Sequence, residues 1–355
     1  MKFIPAYIAS YSNSDFTNPH EVVLPDEPKD CREVFTHAGA KYWGLETCRH
    51  KATRIDKENK KIYYDHEAHN WLNLAFRERA EISLLKVSTK WFTGNQARAI
   101  TVILMDELTM TEVEVLTRAP LEPDQEHSFE FEPMAATECH IQIYYEGGIS
   151  RINFFGNPTE KQLPKQKNLL EDATVSHVSN VHYGDPMMAV KGTRKEMHMV
   201  GWESARTGFG EQAIFHLKEA ATIQEIVVDT YLHRFNSPLT CHVFGLLLPD
   251  GKSLDDYISE IPKWQIQFED GHQVLPENFQ EYMLNQAYLQ EKTSEPTRFQ
   301  IALFNPSDSE WKAVLPCEPL QPDTFHEFIV AQTGPFSHLL YLHYPNGGIH
   351  GLKVF

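Results

Sequence analysis

The chain has 355 residues, 41% of them hydrophobic and 23% charged, the make-up of an ordinary globular protein long enough for two domains. Its 32 basic and 49 acidic residues leave a net charge of −17, which argues against nucleic acid as a partner because phosphate backbones are repelled. Five cysteines without any CxxC spacing argue against a disulfide framework or a zinc ribbon and fit a reducing compartment.

The opening Met1-Lys2-Phe3-Ile4-Pro5 lacks the apolar run of a signal peptide, and no stretch approaches the roughly 20 apolar residues of a bilayer span. A cytoplasmic protein with no membrane partner is expected. The first recognisable block is Ser12-Asn13 through Asn18-Pro19. Next comes Gly44-Leu45-Glu46-Thr47-Cys48-Arg49. A Lys/Glu-rich stretch, 51–67, reads as a surface loop. At its end His66 and, just beyond, His69 are three apart, not four as in HExxH, so a solvated loop is the plainer reading than a metal site. Ser88-Thr89 through Gly94-Asn95 follows, then the strand-like run Ile100–Leu104. Pro120-Leu121-Glu122-Pro123-Asp124 leads to His127. Alternating apolar residues from His140 to Tyr144 and from Ile149 to Phe155 predict half-buried strands around an Glu146-Gly147-Gly148 turn.

The order then repeats. Ser179-Asn180 through Asp185-Pro186 answers the first block, and Gly201-Trp202-Glu203-Ser204-Ala205-Arg206 the second. Ile223–Val228 is a β-rich run leading into Asp229-Thr230 and Asn236, the third block, and Leu239–Leu248 is another. Between Leu248 and Ser309 lies an insertion, with a short helix expected over Glu277–Gln290. Pro319-Leu320-Gln321-Pro322-Asp323 leads to His326, and Asn346-Gly347-Gly348 closes the set. Four ordered matches mean an internal duplication. The expected architecture is all-β: two tandem antiparallel β-sandwich repeats of jelly-roll type, 1–156 and 167–355, joined by a linker at 157–166.

Candidate chemistry sits in the second and third blocks. Glu46 and Glu203 can act as general bases or accept hydrogen bonds from an amidine. Arg49 and Arg206, three residues on, offer a fork for a substrate carboxylate. The same spacing also suits a surface ion pair at a turn. Asp229, Asn236, Gly94 and Asn95 lie at strand ends, where both binding residues and ordinary turn residues are found. His127, His326, Asp124 and Asp323 follow Pro-rich turns and read as turn residues. No phosphate loop, GxSxG elbow or catalytic-cysteine signature is present.

On these residues the chain resembles the allantoicase family. That family is a tandem duplication whose repeats carry Gly-Trp-Glu-Thr-Arg-Arg-like, Asp-Thr-Ala-x-Phe-x-Gly-Asn-like and Pro-Asp-Gly-Gly-like motifs. They are matched here by Gly44–Arg49 and Gly201–Arg206, by Ser88–Asn95 and Asp229–Asn236, and by Tyr145–Gly148 and Pro345–Gly348. The sequence departs at Leu45, at Cys48 and Ala205, and at Trp43 and Val200. The resemblance implies galactose-binding-like jelly rolls and a hydrolase that cleaves the small ureido compound allantoate to ureidoglycolate and urea, within purine breakdown; the alternatives are a non-catalytic small-molecule or carbohydrate-binding sandwich and a hydrolase of another ureido or amidine compound. It implies Glu203, Glu46 and Asp229 as catalytic groups, with Arg206, Arg49, Trp202, Asn236 and Asn95 binding substrate. It also implies a homo-oligomer. A divalent metal ion stays open as a source of hydroxide, although no motif demands one.

Overall fold

The structure, a computed structural model, describes all residues except 15, 16, 37, 38, 41, 42, 50–52, 165, 195–200, 206–209, 270, 272, 275–298 and 305–308. Two compact units divide the chain, Met1–Lys165 and Gln166–Phe355. Each is built almost entirely of antiparallel strands, as the alternating apolar pattern requires.

Two long strands, His69–Ser88 and Glu126–Tyr144, form the spine of the first unit, paired from Glu126 opposite Ser88 to Tyr144 opposite His69. Register slips between Glu130 and Met134 and between Ala136 and Glu138 interrupt that pairing. Bulges of this kind bend and twist a strand. One half of His69–Ser88 pairs with Ala6–Tyr11, the other with Arg151–Pro158, which also takes Lys2–Ile4. Ala99–Asp106 lies on the far side of Glu126–Tyr144 and carries Thr111–Pro120. Alternate residues of these strands, among them Leu72, Leu74, Ile100, Val102, Ile141 and Ile143, fill one buried core.

The second unit repeats this wiring. Glu211–Asp229 pairs with Phe325–Tyr344. Thr174–Val178 and Gly351–Val354 flank the former, and Thr240–Leu246 with Lys312–Pro319 extends the latter. Here the sheet is covered on its second face too. Ile261, from the insertion, and Trp311, just after it, pack on Ile214, Phe244, Leu340 and Leu342. Counting back from the double-glycine turns, Leu340 and Leu342 match His140 and Gln142, which are only half-buried in the first unit. Burial on both faces removes the need for a polar alternate residue, which explains the change in pattern. The insertion also contributes the short helix Asp255–Ile258 and a small sheet of Lys263–Phe268, Gln273–Val274 and Phe299–Phe304. The helix expected at Glu277–Gln290 falls outside the described residues.

The stretch expected to be a surface loop is instead a hairpin, Thr53–Asp56 with Lys61–Tyr64. Its turn is held by Asp56, whose carboxylate accepts the backbone N–H groups of Glu58 and Asn59, each at 3.1 Å. All five cysteines are free.

Candidate active site

In the first unit the site is set by a tight frame around Gly147-Gly148. The short strand Leu45–Glu46 pairs with Gly148–Ile149. The Gly147 N–H donates to Thr47 Oγ1 at 2.9 Å, and the Thr47 N–H donates to the Gly147 carbonyl at 3.2 Å. Asn13 Oδ1 takes the Cys48 N–H at 2.5 Å, and Thr17 Oγ1 takes the Glu46 N–H at 3.0 Å. Glycine is required at 148 because a Cβ there would come within 2.1 Å of the Phe92 ring.

This frame leaves the Glu46 side chain buried with one defined partner. Asn95 Nδ2 donates to Glu46 Oε1 at 2.8 Å, while Oε2 is buried without a partner. Burial pushes the Glu46 carboxyl above the usual glutamate range, partly offset by the Asn95 hydrogen bond and the nearby Arg49 cation. Glu46 and Asn95 line a cavity of ≈ 330 Å³ together with Arg49, Arg98, Tyr64 and Tyr145. The two tyrosine rings are 5.5 Å apart. A buried carboxyl with a raised pKa, beside exposed guanidinium groups, can exchange a proton with a bound anion.

The second unit holds the same frame. Trp202–Glu203 pairs with Gly348–Ile349, Ser204 Oγ bridges both backbone groups of Gly347, and Asn180 Oδ1 takes the Ala205 N–H at 2.8 Å. Asn236 Nδ2 donates to Glu203 Oε1 at 2.9 Å, the counterpart of Asn95 and Glu46. A Cβ on Gly348 would meet the His233 ring, so His233 stands where the first unit has Phe92. Its Nδ1 lies 3.3 Å from Asn236 Oδ1, and burial holds its pKa below the ordinary histidine value. Arg206 lies outside the described residues.

The glutamate and asparagine candidates of each half are therefore brought together, a pairing that the sequence reading did not make, and Arg49 reaches the first cleft. Two residues take other places. Trp202 is fully buried in the core, its indole N–H donating to the Asn180 carbonyl at 2.8 Å, so it packs rather than contacts a ligand. Leu45 occupies the same core position in the first unit, which makes the Trp-to-Leu difference a matter of packing. Asp229 is held by Arg194 through two bonds, 2.9 and 2.7 Å, and also accepts the Tyr231 N–H at 2.9 Å. With both side chains buried, its carboxylate is committed to a structural pair. His127 and His326 each accept a backbone N–H at Nε2, from Glu122 at 2.8 Å and from Gln321 at 2.9 Å, as turn residues do. Missed from the sequence were Arg98, Tyr64 and Tyr145. None is duplicated in the other half, so comparing the repeats could not reveal them.

A family model described as Allantoicase repeat matches residues 3–159 and 167–355. The chain belongs to the allantoicase family. The allantoicase of Saccharomyces cerevisiae is 25% identical over 264 residues, covering 68% of this chain and 73% of that protein. A Rhizobium meliloti protein named "Probable allantoicase" is 23% identical, covering 98% of this chain and 90% of its own length. The solved S. cerevisiae allantoicase structure aligns at 19% identity over 98% of this chain and 89% of that one, with a TM-score of 0.34. Allantoicases are hydrolases, and their substrates are small molecules. Among the described residues of this allantoicase-family chain, no group of three or more His, Cys, Asp or Glu could hold a metal ion, and no helix is long and apolar enough to cross a membrane.

Proposed function

We propose that the chain hydrolyses allantoate to ureidoglycolate and urea, and that the first module holds the working site. The observation that carries this reading is the buried Glu46 carboxyl, one oxygen held by Asn95 and the other unpartnered, in a cleft that also exposes Arg49. Allantoate carries one carboxylate and two ureido groups on a single carbon. Arg49 binds the carboxylate. Glu46, whose pKa is raised by its burial, gives a proton to the departing ureido nitrogen as the carbon–nitrogen bond breaks. The carboxylate left on Glu46 then takes a proton from the water that adds to the same carbon. Allantoate and water are consumed, ureidoglycolate and urea are released, and Glu46 ends as it began. Asn95 fixes the carboxyl plane. Asp229 anchors the second-module loop rather than acting as a base.

The sequence alone inclines slightly to the second module, which keeps Trp202 and Asp229. Their burial in packing and in an ion pair removes that support. The reading carries with it a cytoplasmic homo-oligomer acting in allantoin degradation. Free cysteines support the reducing compartment.

The test is urea release from allantoate, with and without Mn²⁺. Glu46→Gln is expected to lower kcat by about 10²–10⁴, the usual worth of a positioned acid or base, while Glu203→Gln leaves most of it. Absence of turnover by the unaltered protein rejects the activity. Loss confined to Glu203→Gln moves the site to the second module.

A further inference from the structure

We propose that Arg98 is a second carboxylate-binding group of the first-module cleft, and that it makes that cleft, unlike its duplicate, selective for ureido acids over their uncharged counterparts. The proposal rests on the reading above for the chemical class of the ligand.

Arg98 lines the same cavity as Glu46, Arg49 and Asn95. Arg79, Arg118 and Arg194 each hold a carboxylate: Asp106, Glu67 and Asp229. Among the described residues, Arg98 has no such ion pair or side-chain hydrogen bond. Nor does the fold require its side chain. The Arg98 N–H donates to the Tyr144 carbonyl at 3.3 Å, and its own carbonyl accepts the Leu121 N–H at 2.9 Å. In the second unit Leu239 makes the same two bonds, to Tyr344 at 2.7 Å and from Leu320 at 2.7 Å. One backbone position therefore carries a guanidinium in one copy and an exposed leucine in the other.

The neighbours change with it. Tyr145 is replaced by Pro345, Gly94 by the exposed Phe235, and Tyr64 comes from a hairpin inserted between the second and third blocks of the first half. The first cleft thus gathers two guanidinium groups, a buried unpartnered carboxyl oxygen and two aromatic walls. Glu146 is the remaining acidic group in its lining. An anionic ureido compound fits that set: its carboxylate meets the guanidinium forks and its ureido group meets Glu46 Oε2. The second unit keeps the Glu/Asn pair and has exposed apolar side chains, Phe235 and Leu239, at the equivalent positions.

The experiment is calorimetric titration of the full chain and of Arg98→Leu with two probes, ureidoacetate and its uncharged analogue ureidoacetamide. Leucine already occupies the equivalent position in the second unit, so the variant is expected to fold. Loss of a charge-assisted pair predicts that ureidoacetate binds Arg98→Leu about tenfold or more weakly, while ureidoacetamide changes by less than about twofold. The proposal fails if ureidoacetate is unaffected, if both probes weaken alike, or if the unaltered protein does not prefer the acid. Binding requires no turnover. A chain that fails to hydrolyse allantoate yet shows the predicted titration loses the reaction and keeps the Arg98 site. One that turns over allantoate with an unchanged titration does the reverse.

Discussion

Replacing Asp229 by alanine is expected to unfold much of the second module, and the size of the effect separates an anchor from a catalyst. The Asp229 and Arg194 side chains are 4% and 3% exposed and share two hydrogen bonds. Removing one partner of a buried, hydrogen-bonded ion pair costs about 3–5 kcal/mol. The Tyr231 N–H also loses its acceptor, worth about 1 kcal/mol. The sum, about 4–6 kcal/mol, is comparable with the whole stability of a typical domain, about 5–15 kcal/mol. Urea denaturation followed by the emission of buried Trp202 reads this loss. Removing both charges in Asp229→Leu/Arg194→Met is expected to recover most of it, because well-packed apolar replacements of buried pairs are often neutral. The argument is refuted if Asp229→Ala costs less than about 1 kcal/mol, or if the double variant is as unstable as the two single losses added together. Should the double variant fold and yet lose allantoate turnover, Asp229 takes part in the chemistry after all.

The Arg79 guanidinium holds the buried Asp106 carboxyl down to about 2, well below the usual aspartate range. Because the folded value is depressed, this stabilisation is full above the unfolded value and is lost as pH falls from about 4 to 2. It amounts to about 2 kcal/mol. Asp106→Asn should flatten stability against pH over that interval, as read by acid titration of circular dichroism; an unchanged slope contradicts it. In the first-module cleft, the Asn95 hydrogen bond lowers the Glu46 carboxyl against its burial. Asn95→Leu should therefore move the limb of the kcat/KM pH profile governed by Glu46 to higher pH, and a limb that stays in place or moves down removes Glu46 from that role.

The duplication was legible because its punctuation is enforced by backbone geometry. Gly148 and Gly348 face rings too close for any Cβ, and Gly147 has a φ of 138° with the Gln96 backbone 2.4 Å from where a Cβ would lie. Such positions cannot drift in sequence, so they survived in both copies. The glutamates and asparagines were visible as recurring residues of their blocks, but nothing in the spacing paired Glu46 with Asn95 or Glu203 with Asn236. Trp202 and Asp229 were misread because a shared motif does not tell which side of the chain a residue faces. Arg98 and Tyr64 were invisible because the signal was recurrence and neither recurs. The cover on the second unit was foreshadowed only as an insertion. Its effect shows in Leu340 and Leu342, where two polar positions of the first copy have become apolar.

The pairing of the outermost strands has a further consequence. Lys2 lies opposite Gly156, and the Leu169 N–H donates to the Val354 carbonyl at 2.9 Å. Each module thus takes in and releases its chain at neighbouring points. A unit with its entry and exit side by side can be copied end to end on a short connector, and neither copy has to reroute a strand to accommodate the other. The same closeness makes each module a candidate for circular permutation: joining the old ends needs only a few residues, and new ends can be opened at a surface turn.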